Sequence, residues 1–168
     1  MGLTTALWRK PHFIYYWAPP LLWGLAVLVM SGNFGSGANT KYVLRWLLSW
    51  FVVLKPAQLN LINFYVRKTG HLLAYGIMYF LWFRALRQHV DYEPRRAFLW
   101  ALGFCLIFAS MDEGHQWLYP SRGSSIGDVI LDMSGAGLAA LITCAVWRPR
   151  SPAQPLPGLA RGQTIGPE

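Results

Sequence analysis

Four stretches of this chain, residues 13–31, 70–86, 97–117 and 126–147, are each apolar over a length near the roughly 20 residues that carry a helix across a bilayer core. In hydrocarbon every backbone amide must find its partner within the protein, so continuous runs of this kind predict helices. Composition agrees: 54% of the residues are hydrophobic and 13% are charged, where a soluble domain carries roughly a quarter. The fold expected is an all-α integral membrane protein of about four transmembrane helices, with residues 1–147 forming one bundle and no room for a second domain.

The first run follows a short basic segment, as a signal peptide would. Its apolar part exceeds the usual roughly 7–15 residues and no clear small-residue cleavage site follows, so it is read as a retained span. Pro19 and Pro20 are expected early in that helix, where a missing amide donor is tolerated. The segment 40–56 has an apolar core too short for a span, with Lys41, Arg45 and Lys55 near its ends, and is expected to lie in, or re-enter, the outer interface. A fifth crossing there would invert everything downstream. Residues 148–168, rich in Pro, Gly and Arg, read as a disordered cytoplasmic tail.

Lys and Arg counts set the orientation. With both termini in the cytoplasm, Arg9, Lys10, Arg84, Arg87, Arg95, Arg96, Arg148, Arg150 and Arg161 lie inside, and six basic residues lie outside. The same scatter at helix ends accounts for most of the +8 net charge, and with no basic stripe or binding motif, nucleic acid is not expected as a partner. Cys105 and Cys144 fall within apolar helices and read as buried thiols, and the tryptophans read as interface anchors. A multi-pass protein of the bacterial inner membrane, with membrane lipids as neighbours and oligomerisation left open, fits these features.

Against this background residues 110–135, "SMDEGHQWLYPSRGSSIGDVILDMSG", stand out, since they carry four of the seven acidic residues. Projected at about 100° per residue, Lys68, His71 and Tyr75 share one face of the second span, and Asp112 and Gln116, flanked by Glu113, gather at the outer end of the third. Asp128 and Asp132 are i, i+4 neighbours on the fourth, on a stripe that continues as Gly135 and Ala139. Ionisable groups in a span cost at least about 2.5–3.5 kcal/mol each near the bilayer centre, so they should face inward and pair. Lys68, Arg122, Arg67 or a protonated His71 are available to offset the carboxylates. The small residues after Asp132 would let the fourth helix approach closely. The bland alternative is a salt-bridge network with Asp128 as a helix cap.

The pattern K-x-x-H-x-x-x-Y at 68–75, with DE-x-x-Q-x-x-x-P-x-R at 112–122 and D-x-x-x-D-x-x-G at 128–135, resembles the VanZ-like family of small bacterial membrane proteins. Carried over position by position, the resemblance implies a site of Lys68, His71, Tyr75, Asp112, Glu113, Gln116, Arg122 and Asp128, and a link to teicoplanin resistance. Two positions depart from it. Arg67 stands where an acidic residue is common, which removes a carboxylate that a metal or a general base would use. Asp132 stands where Asn is usual; ionised Asp only accepts hydrogen bonds, so its partner must differ or it must carry a proton.

Two classes of function follow for these residues, Asp132 included. In one, the cluster binds an anionic envelope lipid or glycan precursor at the outer leaflet, Lys68 and Arg122 meeting a phosphate while the carboxylates orient them. In the other, an integral-membrane enzyme acts on such a lipid, with His71 or one of Asp112 and Glu113 as general base. No cofactor is expected. A divalent metal on His71 and carboxylates is a weak variant in the absence of an HExxH-like pair, and a proton-coupled transporter is a third reading limited by the small number of helices.

Overall fold

The computed structural model describes residues 12–32, 35–87, 94–117 and 125–146. Among them 92% are helical and none is in a strand. The helices are α1 (His12–Ser31), α2 (Gly37–Ser49), α3 (Pro56–Arg87), α4 (Pro94–Trp117) and α5 (Ile126–Val146). The expected N-terminal basic segment, the 118–124 loop with Arg122 and the 148–168 tail lie outside the described residues.

Three helices, spanning Phe13–Ser31, Arg95–Trp117 and Ile126–Val146, are long and apolar enough to cross a membrane. They coincide closely with three of the four expected runs. The second run proves to be the last half of a much longer helix, because α3 starts at Pro56 and continues for 32 residues, about 48 Å at 1.5 Å per residue. Its first half, "PAQLNLINFYVRKT", mixes Gln58, Asn60, Asn63, Arg67 and Lys68 into the apolar residues, which hid it from a search for apolar runs.

The segment expected at 40–56 is also helical but sits earlier. Ser36 caps α2, its hydroxyl accepting from the Asn39 amide at 3.3 Å, and the helix ends at Ser49, well before Pro56 opens α3. No residue of α2 is buried. Asn63 Nδ2 donates to the Gly37 carbonyl at 3.4 Å, which ties the start of α2 to α3. In α1 the two prolines are not in the first turn: they fall mid-helix, leaving the carbonyls of Tyr15 and Tyr16 without their i+4 amide donors.

α3 is the central element and packs against all four others. Its core side chains Tyr75, Met78, Tyr79, Trp82, Phe83 and Leu86 are buried against a stripe of small residues on α4, Ala97, Ala101, Cys105 and Ala109. Trp82 stacks on Phe104 with ring centroids 4.1 Å apart, so this tryptophan is a core residue and not an interface anchor. α5 comes closest of all. A Cβ built on Gly135 would lie 2.1 Å from the Leu72 carbonyl oxygen, so only glycine permits this approach. Cys105 is buried as expected, whereas Cys144 is exposed on α5. The outward faces of α1, α4 and α5 carry large exposed apolar residues such as Leu22, Leu25, Leu99, Ile107 and Leu141, the surface that a lipid environment covers.

Candidate functional site

The small-residue stripe of α4 does not stop at Ala109. One turn on, the same face presents Asp112 and then Gln116, both as buried as the alanines before them at 2% and 1% exposure. Helical periodicity therefore aims a carboxylate and an amide into the position that the core packing has already closed. Gln116 Nε2 donates to Asp112 Oδ2 at 3.2 Å, and the Ser31 hydroxyl at the end of α1 donates to the Asp112 carbonyl at 3.1 Å.

From α5 come the other two aspartates, and α3 meets both. Lys68 Nζ forms an ion pair with Asp128 Oδ1, and the ammonium also lies 5.7 Å from the centroid of the Phe64 ring. One turn further, His71 Nδ1 is 3.0 Å from Asp132 Oδ1, with the Asp132 side chain only 3% exposed. The i, i+3 spacing on α3 thus matches the i, i+4 spacing on α5, so two adjacent turns of one helix pair with two adjacent turns of the other. Asp132, where the family pattern has Asn, is the most buried of the paired acids, and its partner is the imidazole.

Glu113 behaves differently: its Oε1 accepts from the Ser125 amide at 2.7 Å, tying the end of α4 to the start of α5. It joins no cation among the described residues. Tyr75 is fully buried, and its hydroxyl has no hydrogen-bond partner among the described residues; the same is true of Asp112 Oδ1. Lys68, His71, Tyr75, Asp112, Gln116, Asp128 and Asp132 are thus brought together. Glu113 is on the margin, and Arg122 lies outside the described residues.

Beside the cluster is a cavity of about 420 Å³ between α1, α3 and α4, with the start of α2 at its edge. Its wall is largely apolar, with Trp23, Ala26, Val27, Met30, Val66 and Ala74, and its polar side is formed by Arg67, His71, Tyr75 and Asp112. Trp23 is held in place by a 2.9 Å hydrogen bond from Nε1 to the Ala74 carbonyl. Arg67 is the residue that sequence reasoning undervalued. It departs from the family pattern and precedes the matched lysine by one position, so only the α2–α3 packing reveals that it turns to the cavity.

The family profile VanZ/LLP1 matches residues 20–148. The chain belongs to the VanZ/LLP1 family. The match begins at Pro20 within α1 and takes in the rest of that helix with all of α2, α3, α4 and α5. No curated protein and no solved structure matches the chain. Within this VanZ/LLP1 chain the motif residues resolve into three local pairings, Lys68 with Asp128, His71 with Asp132, and Gln116 with Asp112, of which His71 and Asp112 reach the cavity wall.

Proposed function

We propose that this VanZ/LLP1 protein is a multi-pass protein of the bacterial cytoplasmic membrane that binds an anionic envelope lipid or lipid-linked glycan precursor in the cavity beside Arg67. In this reading the last half of α3 is a fourth crossing, α2 lies in the outer interface, both termini are cytoplasmic, and the cluster sits at the outer leaflet. By masking or moving such a precursor the protein would contribute to resistance to a glycopeptide antibiotic such as teicoplanin.

The observation that carries the reading is Arg67. It lines a largely apolar cavity, and among the described residues no carboxylate lies within ion-pairing distance of it. A guanidinium with no carboxylate at hand among the described residues, and apolar walls beside it, suits a phosphate headgroup followed by a hydrocarbon chain. Lys68, which the sequence pairs with Arg122 as a phosphate ligand, is already matched by Asp128, so in this reading it supports the site beside Arg67.

Binding of a polyprenyl phosphate to the purified protein in nanodiscs tests this directly. Hydrogen bonds to charged groups are worth about 1.5–3 kcal/mol, so Arg67→Gln should weaken binding by roughly 10- to 100-fold. Wild-type affinity in Arg67→Gln, or no binding by the parent protein, would overturn it.

A catalytic reading draws on a separate observation, the imidazole of His71 held by Asp132 at the cavity wall, an arrangement in which a carboxylate orients a general base. Turnover of the bound lipid that disappears in His71→Ala while binding persists would select that reading; binding with no turnover selects the first.

A further inference from the structure

The ionic pairing of the cluster does not close. Asp128 has Lys68 and Glu113 has the Ser125 amide, but Asp112 and Asp132 are each 2% exposed, and among the described residues the His71 imidazole is the one basic group within ion-pairing distance of either, Arg67 lying on the same cavity wall without pairing to them. One oxygen of Asp112 accepts from Gln116; the other, Oδ1, is buried with no hydrogen-bond partner among the described residues. Two buried carboxylates opposed by one histidine are costly unless further positive charge is bound.

Their placement answers the need. One ligand atom each from His71, Asp112 and Asp132 lie within 4.8 Å of one another. Ligands about 2.0–2.2 Å from a tetrahedral metal ion are about 3.3–3.6 Å apart, and His71 Nδ1 and Asp132 Oδ1 are already at 3.0 Å. Asp112, the third of the set, need close only the remainder of that distance on an ion. The three come from three different helices, α3, α4 and α5, so an ion would fix the relation among them.

The geometry points to a divalent transition-metal site formed by His71, Asp112 and Asp132. One imidazole nitrogen with two carboxylate oxygens suits Zn²⁺ or Mn²⁺. Mg²⁺ and Ca²⁺ favour all-oxygen shells of six or more ligands. Three protein ligands leave coordination positions open, and two of the three residues, His71 and Asp112, line the cavity. The buried Tyr75 hydroxyl, also on the cavity wall, lacks a hydrogen-bond partner among the described residues. An ion here would be reached from the cavity, and its dipositive charge balances the two carboxylates with His71 neutral. The inference goes beyond ligand binding at Arg67 and does not depend on it.

The test is titration of the full-length, chelator-treated protein in detergent with Zn²⁺ and, separately, Mn²⁺, with no lipid added, followed by elemental analysis. One equivalent per chain is expected. His71→Gln, Asp112→Asn and Asp132→Asn should each weaken binding by at least about 100-fold, because even outer-shell changes cost 10- to 100-fold. Cys144→Ser, which removes the exposed thiol, should leave stoichiometry and affinity unchanged. Thermal melting without metal reports whether each variant folds, and any one folded variant suffices for the comparison. Absence of saturable binding of either ion below millimolar concentration, retention of binding by the folded variants, or its loss in Cys144→Ser would overturn the site. Because no lipid is present, failure here leaves the Arg67 experiment standing, and the reverse.

Discussion

At the scale of single residues, the two α3–α5 pairs differ in how much water reaches them. The Lys68 side chain is 36% exposed and Asp128 15%, while Asp132 is almost fully enclosed. Removing one partner of a buried pair costs about 3–5 kcal/mol, and an exposed pair is worth about 1 kcal/mol or less. Lys68→Ala should therefore lower stability by about 1–3 kcal/mol, and the swap Lys68→Asp with Asp128→Lys should recover part of it, as measured by thermal unfolding in detergent. If Lys68→Ala melts with the wild type, the pair contributes nothing to folding. The grouping of Lys68, His71 and Tyr75 on one face was legible from spacing alone, since helical periodicity fixes it. The pairing partners were not: projection onto separate helices places Asp112, Asp128 and Asp132 at one level, but only the register of α3 against α5 decides which cation meets which acid. Arg67 escaped for the same reason, because its place on the cavity wall comes from α2 packing against α3.

At the scale of the elements, legibility followed the solvent that each helix segment reads. α1, α4 and α5 each contain an apolar stretch long enough to cross a membrane and were outlined to within a few residues. α3 changes character partway, polar before Gly70 and apolar after it, so its apolar half was found and its polar half was not. The α3–α5 seam offers a sharp contrast between two glycines two positions apart. Gly135 faces the Leu72 backbone at a distance no Cβ tolerates, and Gly137 has nothing within 4 Å of where a Cβ would sit. Gly135→Ala should cost about 1–3 kcal/mol or more, because backbone must move. Gly137→Ala should be neutral or stabilising by roughly 0.5–1 kcal/mol, because alanine gives up less conformational freedom in a helix. Melting temperatures of the two variants moving in the same direction would mean that α5 does not pack on α3 through this face.

For the whole molecule, the contacts put the end of α1, the end of α4, the start of α5 and the middle of α3 at one level. Ser31 reaches Asp112, Asp128 reaches Lys68, and Ser125 reaches Glu113. Near the opposite end of α3, Arg84 lies 4.6 Å and 4.8 Å from the ring centroids of Tyr15 and Tyr16, the aromatic and basic pairing common where a span meets headgroups. Under the proposed topology the Arg84 end faces the cytoplasm. Single cysteines placed at 121 or 124 in a protein lacking its own exposed thiol should react with an impermeant maleimide in intact cells, and tags at either terminus should be protected. Labelling at 121 and 124 only after permeabilisation would put the cluster on the inner side and sink the envelope-precursor reading.

The order of synthesis gives the α3–α5 seam one more consequence. Lys68 and His71 are bonded to residues 60 and 61 positions later in the chain, so at about 5–20 residues per second the ribosome needs roughly 3–12 s to supply their partners. For that interval α3 has its cation and imidazole but no acids from α5, and α4 enters with Asp112 and no histidine locked in place. Under the proposed topology, in which α3 is a crossing, the nascent protein would be held at the insertion machinery, or α3 would wait at the surface, until the last helix arrives and closes the bundle.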